Sequence, residues 1–137
     1  MKVLMLSLYK IWYRVGKISH SKDESLLGKT YEDKDCLFIM IHVEAKDQEN
    51  ENSVLRKLVK NITWYSRKTN NKKIILHSFA HLSEDKADPE YAQKIINMVK
   101  EKLQNKGLDV HTTPFGYFLE LEIKIKPEPI ARVFKDL

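Results

Sequence analysis

Two short segments hold most of the residues able to do chemistry: His77-Ser78-Phe79-Ala80-His81-Leu82-Ser83 and Thr113-Pro114-Phe115-Gly116-Tyr117-Phe118. Each follows or interrupts an apolar run that reads as a β-strand, so each falls where backbone groups leave a sheet and become free for a ligand. His81 is a candidate proton carrier in that turn, or else a histidine bonded structurally to backbone. Pro114 and Gly116 shape a turn around Phe115 and Tyr117, which serve either as pocket walls or as core aromatics. His77 and His81 are four apart, the spacing of a zinc pair on a helix, but at a strand end that spacing does not converge and no third ligand joins them. Cys36 stands among Leu37, Phe38 and Ile39 as a core thiol. Ser78 and Ser83 lack the Gly-x-Ser-x-Gly elbow of a serine hydrolase. With 4 glycines in all, no phosphate-cradling glycine motif is present, and no cofactor is implied.

The elements that must carry these segments alternate between strand and helix patterns. Lys2 to Tyr9 is a nearly continuous apolar run, as in a strand buried on both faces, and its apolar start, Val3 to Leu8, is too short for a signal-peptide core. Ile11 to Val15 either pairs back on it or continues it through a bend. Ser19 to Lys34 reads as a loop, and Cys36 to Val43 as the clearest buried strand. Ser53 can cap a helix in which Val54, Leu55, Leu58, Val59, Ile62 and Tyr65 form one stripe. Lys72 to Phe79 reads as a strand. Asp88-Pro89 starts a second helix with its stripe at Tyr91, Ala92, Ile95, Ile96, Val99 and Leu103, and Gly107 stops it. Leu108 to Thr112 is a short strand. Tyr117 to Ile125 alternates, with Leu119, Leu121, Ile123 and Ile125 on one side. Pro127 and Pro129 end it, and Ile130 to Leu137 reads as a short helix or a tail. The expected fold is α/β: one domain, 1–137, a mixed sheet of about five strands with two amphipathic helices packed on it.

Composition agrees with a folded globular chain: 137 residues, 42% hydrophobic and 31% charged, enough for one core. No run approaches the roughly 18 apolar residues of a membrane span. The single cysteine excludes an internal disulfide and suits a reducing, cytoplasmic setting. A net charge of +5 favours an anionic partner. Arg56, Lys57, Lys60, Arg67, Lys68, Lys72 and Lys73 lie on and just after the first helix, either as a solvated face or as an RNA-backbone patch, with Lys57, Lys60, Arg67 and Lys68 its centre.

Phe79-Ala80-His81 and Pro114-Phe115-Gly116-Tyr117 together resemble the pocket segments of the editing domain of archaeal threonyl-tRNA synthetases, whose fold is that of the D-aminoacyl-tRNA deacylases. The resemblance spans nearly the whole chain and is strongest from Ile74 to Tyr117. It implies hydrolysis of the ester of serine mischarged on threonine tRNA. His81 would sit in the amino-acid pocket as a catalytic residue, and Phe79, Ala80, Pro114, Phe115, Gly116 and Tyr117 would contact the aminoacyl-adenosine end. It also implies tRNA and a synthetase catalytic body, in cis or in trans, as partners, pairing as a homodimer, and a chain that is a fragment or a stand-alone copy of the editing domain. The family has tyrosine and lysine where Phe118 and Leu119 stand, and glutamate where Arg132 stands. A domain that binds tRNA or dimerises without hydrolysis, and a generic RNA-binding α/β module, are the alternative readings.

Overall fold

A computed structural model describes residues 1–137. The six strands are β1 (Lys2–Ile18), β2 (Thr30–His42), β3 (Lys73–Ser78), β4 (Asp109–Thr112), β5 (Tyr117–Ile125) and β6 (Arg132–Asp136); the helices are α1 (Glu51–Thr69) and α2 (Pro89–Asn105). They form one mixed sheet in the order β4-β3-β2-β1-β5, with β6 pairing β1. β2, β3 and β4 run parallel, and β1 is antiparallel to each of its partners. This is the single-domain mixed sheet with two helices that the sequence predicts.

The helices cover one face. Both predicted stripes are apolar and inward: Val54, Leu55, Leu58, Val59, Ile62 and Tyr65 from α1, and Ile95, Ile96, Val99 and Leu103 from α2, pack on Val3, Met5, Ile39, Ile41, Ile74 and Leu76. Burying one such aliphatic side chain contributes about 1.5–3 kcal/mol. The second face carries a smaller cluster of Leu6, Leu8, Ile11, Tyr13, Phe38, Met40 and Ile75, edged by half-buried Leu119, Leu121, Ile123 and Ile125. No helix packs there.

β1 is one strand of 17 residues, so Ile11–Val15 continues Lys2–Tyr9 rather than turning back. The continuation has an irregularity: the register with β5 shifts between Leu8 and Lys10, and on the neighbouring strand Asp35 takes φ 47°. The apolar face consequently moves from even positions (Leu6, Leu8) to odd ones (Ile11, Tyr13). That shift disguises the run as two strands.

Three other boundaries differ from expectation. β2 begins at Thr30, inside the stretch read as loop, because Tyr31, Glu32 and Asp33 pair with β1 as a polar extension of the strand. α1 begins at Glu51, before Ser53, following a 3-10 turn over Ala45–Asn50. The C-terminal segment is a 3-10 turn over Pro129–Ala131 followed by the strand β6, paired with the first half of β1 from Lys2↔Asp136 to Leu6↔Arg132. Its edge position leaves most of its residues exposed, which hides the period a buried strand would show.

Candidate functional site

The two chemically promising segments meet at the carboxyl ends of the parallel strands, the usual place for a ligand in such sheets. β3 ends at Ser78, and Phe79 N–H still donates to Ile41 O at 2.9 Å. Beneath them His77 is buried, with its Nδ1 2.9 Å from Thr113 Oγ1. Thr113 N–H donates to Leu76 O at 3.0 Å. These two bonds hold the start of one segment against the start of the other. Burial, and secondarily His81, pulls the His77 imidazole down to about 4, so this ring is neutral at pH 7.

A ladder of rings then runs from the core to the surface. Phe38 stacks on His77 at 5.3 Å, His77 meets Phe79 at 6.0 Å, and Phe79 meets His81 edge-on at 4.9 Å. His81 and Ala80 are exposed. The turn that presents them is braced by His42, which is wholly buried. His42 Nδ1 accepts Leu82 N–H at 3.0 Å, so its Nε2 carries the proton and donates to Asp85 O at 2.7 Å. Ser83 Oγ donates to Glu44 Oε2 at 2.7 Å. His81 itself is left free of such bonds.

Thr113 also lines a cleft of about 420 Å³, within the range of small-ligand sites. Ser78, Thr112, Thr113, Pro114 and Phe115 line it together with Tyr13, Glu32 and Asp33 from the β1–β2 arm and Gln93, Ile96 and Asn97 from α2. Burial first, then Tyr31 and Asp33, push the Tyr13 phenol up to about 12, so it stays a hydrogen-bond donor. Asp33 is paired with Lys73 at 2.6 Å.

The predicted site residues therefore separate into three groups. Pro114 and Phe115 line the cleft. Phe79, Ala80 and His81 stand beside it as the braced turn and do not line it. Gly116 and Tyr117 hold a loop: Gly116, at φ 88°, accepts N–H bonds from Ser19, His20 and Ser21 at 2.9, 3.0 and 3.1 Å. The Tyr117 hydroxyl is 2.9 Å from Ser21 Oγ and donates to Asp23 O. His42 and the His77–Thr113 bond were passed over in the sequence. Their only signal is that His42 and His77 are polar residues within apolar strands.

Residues 1–137 match the family model for the archaea-specific editing domain of threonyl-tRNA synthetase. The chain belongs to this family. It is similar to the threonine–tRNA ligase of Thermococcus kodakarensis, 32% identical over 115 residues, covering 84% of this chain and 18% of that protein. The ligase of Pyrococcus horikoshii is 29% identical over 139 residues, covering 100% of this chain and 22% of the relative. The chain thus spans about a fifth of the length of the curated relatives it matches. A solved structure, the c-Myc DNA unwinding element binding protein, superposes with a TM-score of 0.66 at 14% identity over 100% of this chain and 99% of that one. That likeness establishes a shared fold, in keeping with the deacylase-like architecture.

Within this editing-domain frame, Phe118 is 59% exposed and Leu119 packs on the second-face cluster. Arg132, opposite Leu6, donates through Nη1 to Lys126 O at 3.1 Å. Lys57, Lys60, Arg67 and Lys68 are exposed on α1. Lys60 and Arg67 line a groove between α1 and α2, whereas Lys57 and Lys68 do not. No helix is long and apolar enough to cross a membrane.

Proposed function

We propose that this editing domain hydrolyses an aminoacyl ester on tRNA, with serine mischarged on threonine tRNA as the substrate. The observation that carries the reading is a small cleft, lined by Ser78, Pro114 and Phe115, at the carboxyl ends of the parallel strands of a chain matched end to end by the editing-domain model. Serine and threonine differ by one methyl, worth about 1–3 kcal/mol, so a synthetic site alone discriminates weakly. A second cleft that admits the smaller ester and excludes the larger restores fidelity.

An aminoacyl ester is already activated. A positioned water, backbone N–H groups for the oxyanion and a ribose hydroxyl of the tRNA suffice as chemistry. His81, on its braced turn beside the cleft, takes the catalytic role; Phe79, Ala80, Pro114, Phe115, Gly116 and Tyr117 bind or shape the terminal adenosine, and Lys57, Lys60, Arg67 and Lys68 meet the RNA backbone. The helix-free apolar face edged by half-buried Leu119, Leu121, Ile123 and Ile125 of β5, with Phe134 52% exposed opposite Leu4, supports homodimerisation. A synthetase body, in cis or in trans, and a cytoplasmic setting complete the proposal. The test is deacylation of seryl- and threonyl-tRNA: hydrolysis of the seryl ester alone supports the reading, and hydrolysis of neither removes it. In an active protein, His81→Ala should lower turnover at least tenfold; an unchanged rate takes His81 out of the mechanism.

A second reading rests on Leu119 and Arg132. An apolar side chain and a cation stand where the family has a lysine and a glutamate, and both are taken up in local packing or bonding. A domain that binds tRNA and pairs without hydrolysing would tolerate both. It predicts tRNA binding with no ester cleavage.

A further inference from the structure

α1 and α2 do not meet along their whole length. Between them runs an open groove of about 660 Å³. Arg56, Lys60 and Arg67 line it from α1, and Lys102 and Lys106 from the C-terminal end of α2. No carboxylate is among its lining residues, although the chain holds 19 acidic residues. None of the five cations forms an ion pair, in contrast to Lys2, Lys10, Arg14, Lys73, Lys94 and Lys126. Unpaired like charges held along one groove repel each other, so the arrangement is relieved by a polyanion.

We propose that this groove is a phosphate track that holds the sugar-phosphate backbone of the tRNA, away from the aminoacyl end. The inference rests on tRNA being the partner, and it adds Arg56, Lys102 and Lys106 to the cations expected on α1. At a rise of 1.5 Å per residue, Arg56, Lys60 and Arg67 are spaced about 6 and about 10 Å along the helix axis, a line of charge long enough for a few nucleotides. The side chains of Asn52 and Asn105 supply further donors at the rim. A protein partner fits less well: such interfaces centre on buried aromatic or aliphatic anchors, and the exposed Phe118 and Phe134 lie on β5 and β6, not on the helices that form this groove. α2 is the wall shared with the ester cleft, since Gln93, Ile96 and Asn97 line one side and Lys102 and Lys106 the other. A backbone seated in the groove therefore anchors the tRNA one helix away from the reacting bond.

The experiment measures tRNA binding to the wild-type chain and to K60E/R67E/K102E across a potassium chloride series. Engagement of five phosphates gives a slope of log Kobs against log salt of about −3.5 at about −0.7 per contact. The triple variant should bind at least about 30-fold more weakly, with the slope reduced by about 2. K60A/R67A, which removes charge without reversing it, should fall between, and circular dichroism checks the fold of both. Equal affinity and slope in all three proteins would overturn the track, as would binding of polyglutamate as tight as that of tRNA. Turnover by the wild-type chain of seryl-adenosine, a substrate too short to reach the groove, reads the ester cleft separately. Absence of that turnover in the wild-type chain speaks against the esterase reading alone, because the salt series still reads the groove.

Discussion

The α-ammonium of Met1 lies 2.6 Å from Glu44 Oε1, and both groups are almost wholly out of solvent. Asp47 Oδ1 approaches the same nitrogen at 2.8 Å, while Asp47 Oδ2 accepts the Glu44 N–H at 2.7 Å. Burial alone would raise the Glu44 carboxyl, but the ammonium and the Ser83 hydroxyl more than offset it and hold it at about 2. The pair ties the start of β1 to the segment that enters α1, next to the braced turn.

Breaking one member of a buried ion pair leaves the other uncompensated. Glu44→Gln should therefore cost about 3 kcal/mol in stability, measured by urea unfolding at neutral pH. The carboxyl sits below its unfolded value of about 4.5, so its contribution is complete above that pH and is lost as pH falls towards 2. Wild-type stability should drop across that interval, and the Gln variant should show a shallower drop. Parallel profiles would mean that the carboxylate does not titrate with folding.

His77 works in the same direction at higher pH. Its folded value is about 4 against about 6.5 unfolded, so it stabilises the fold above pH 6.5 and that stability fades as pH falls from 6.5 towards 4. Thr113→Val should cost about 1–3 kcal/mol, because the buried Nδ1 loses its partner. A loss below 0.5 kcal/mol, read from thermal or urea unfolding, would show that the bond between the two segments is not what holds them.

A methyl at Gly116 would lie 2.7 Å from Ser21 N, at a φ of 88°. Gly116→Ala should destabilise the chain by at least about 1–2 kcal/mol and shift the Ser19–Asp23 loop. Proteolysis or amide exchange of that loop is the direct readout. Gly107→Ala, also at positive φ but with open space around it, separates backbone strain from the clash: the loop should stay protected there.

Placing at 119 and 132 the lysine and glutamate that the resemblance implies tests whether these two positions bear on the proposed hydrolysis. The pair L119K/R132E should raise hydrolysis of seryl-tRNA about tenfold or more if these positions handle the water or the proton. The accompanying loss of stability, about 1 kcal/mol, comes from placing an ammonium opposite Val15 and next to Leu121, and a carboxylate opposite Leu6. An unchanged rate would mean that neither position takes part.

What was readable from sequence follows from which positions are buried. The stripes of α1 and α2 are regular because each helix buries a single face, and Tyr117–Ile125 alternates because β5 is half-covered. β6 and the polar start of β2 lie at exposed edges, where backbone pairing sets the structure and side chains carry no period. The irregularity at Tyr9 and Asp35 split one strand into two in appearance. Of the site, the two segments were visible through their aromatic, proline and glycine content. The bonds that join and brace them, His77 to Thr113 and His42 to the 82–85 backbone, connect residues 36 to 43 positions apart, and nothing local signals such pairs.

β1 pairs with β2 along nearly its entire length, while its opposite edge is divided between β6 and β5. Every antiparallel ladder in the molecule therefore runs through this one segment. The domain has no half that could melt on its own: its central amides should exchange with deuterium only through complete opening, and a chain severed within β1 should regain structure only when both pieces are present.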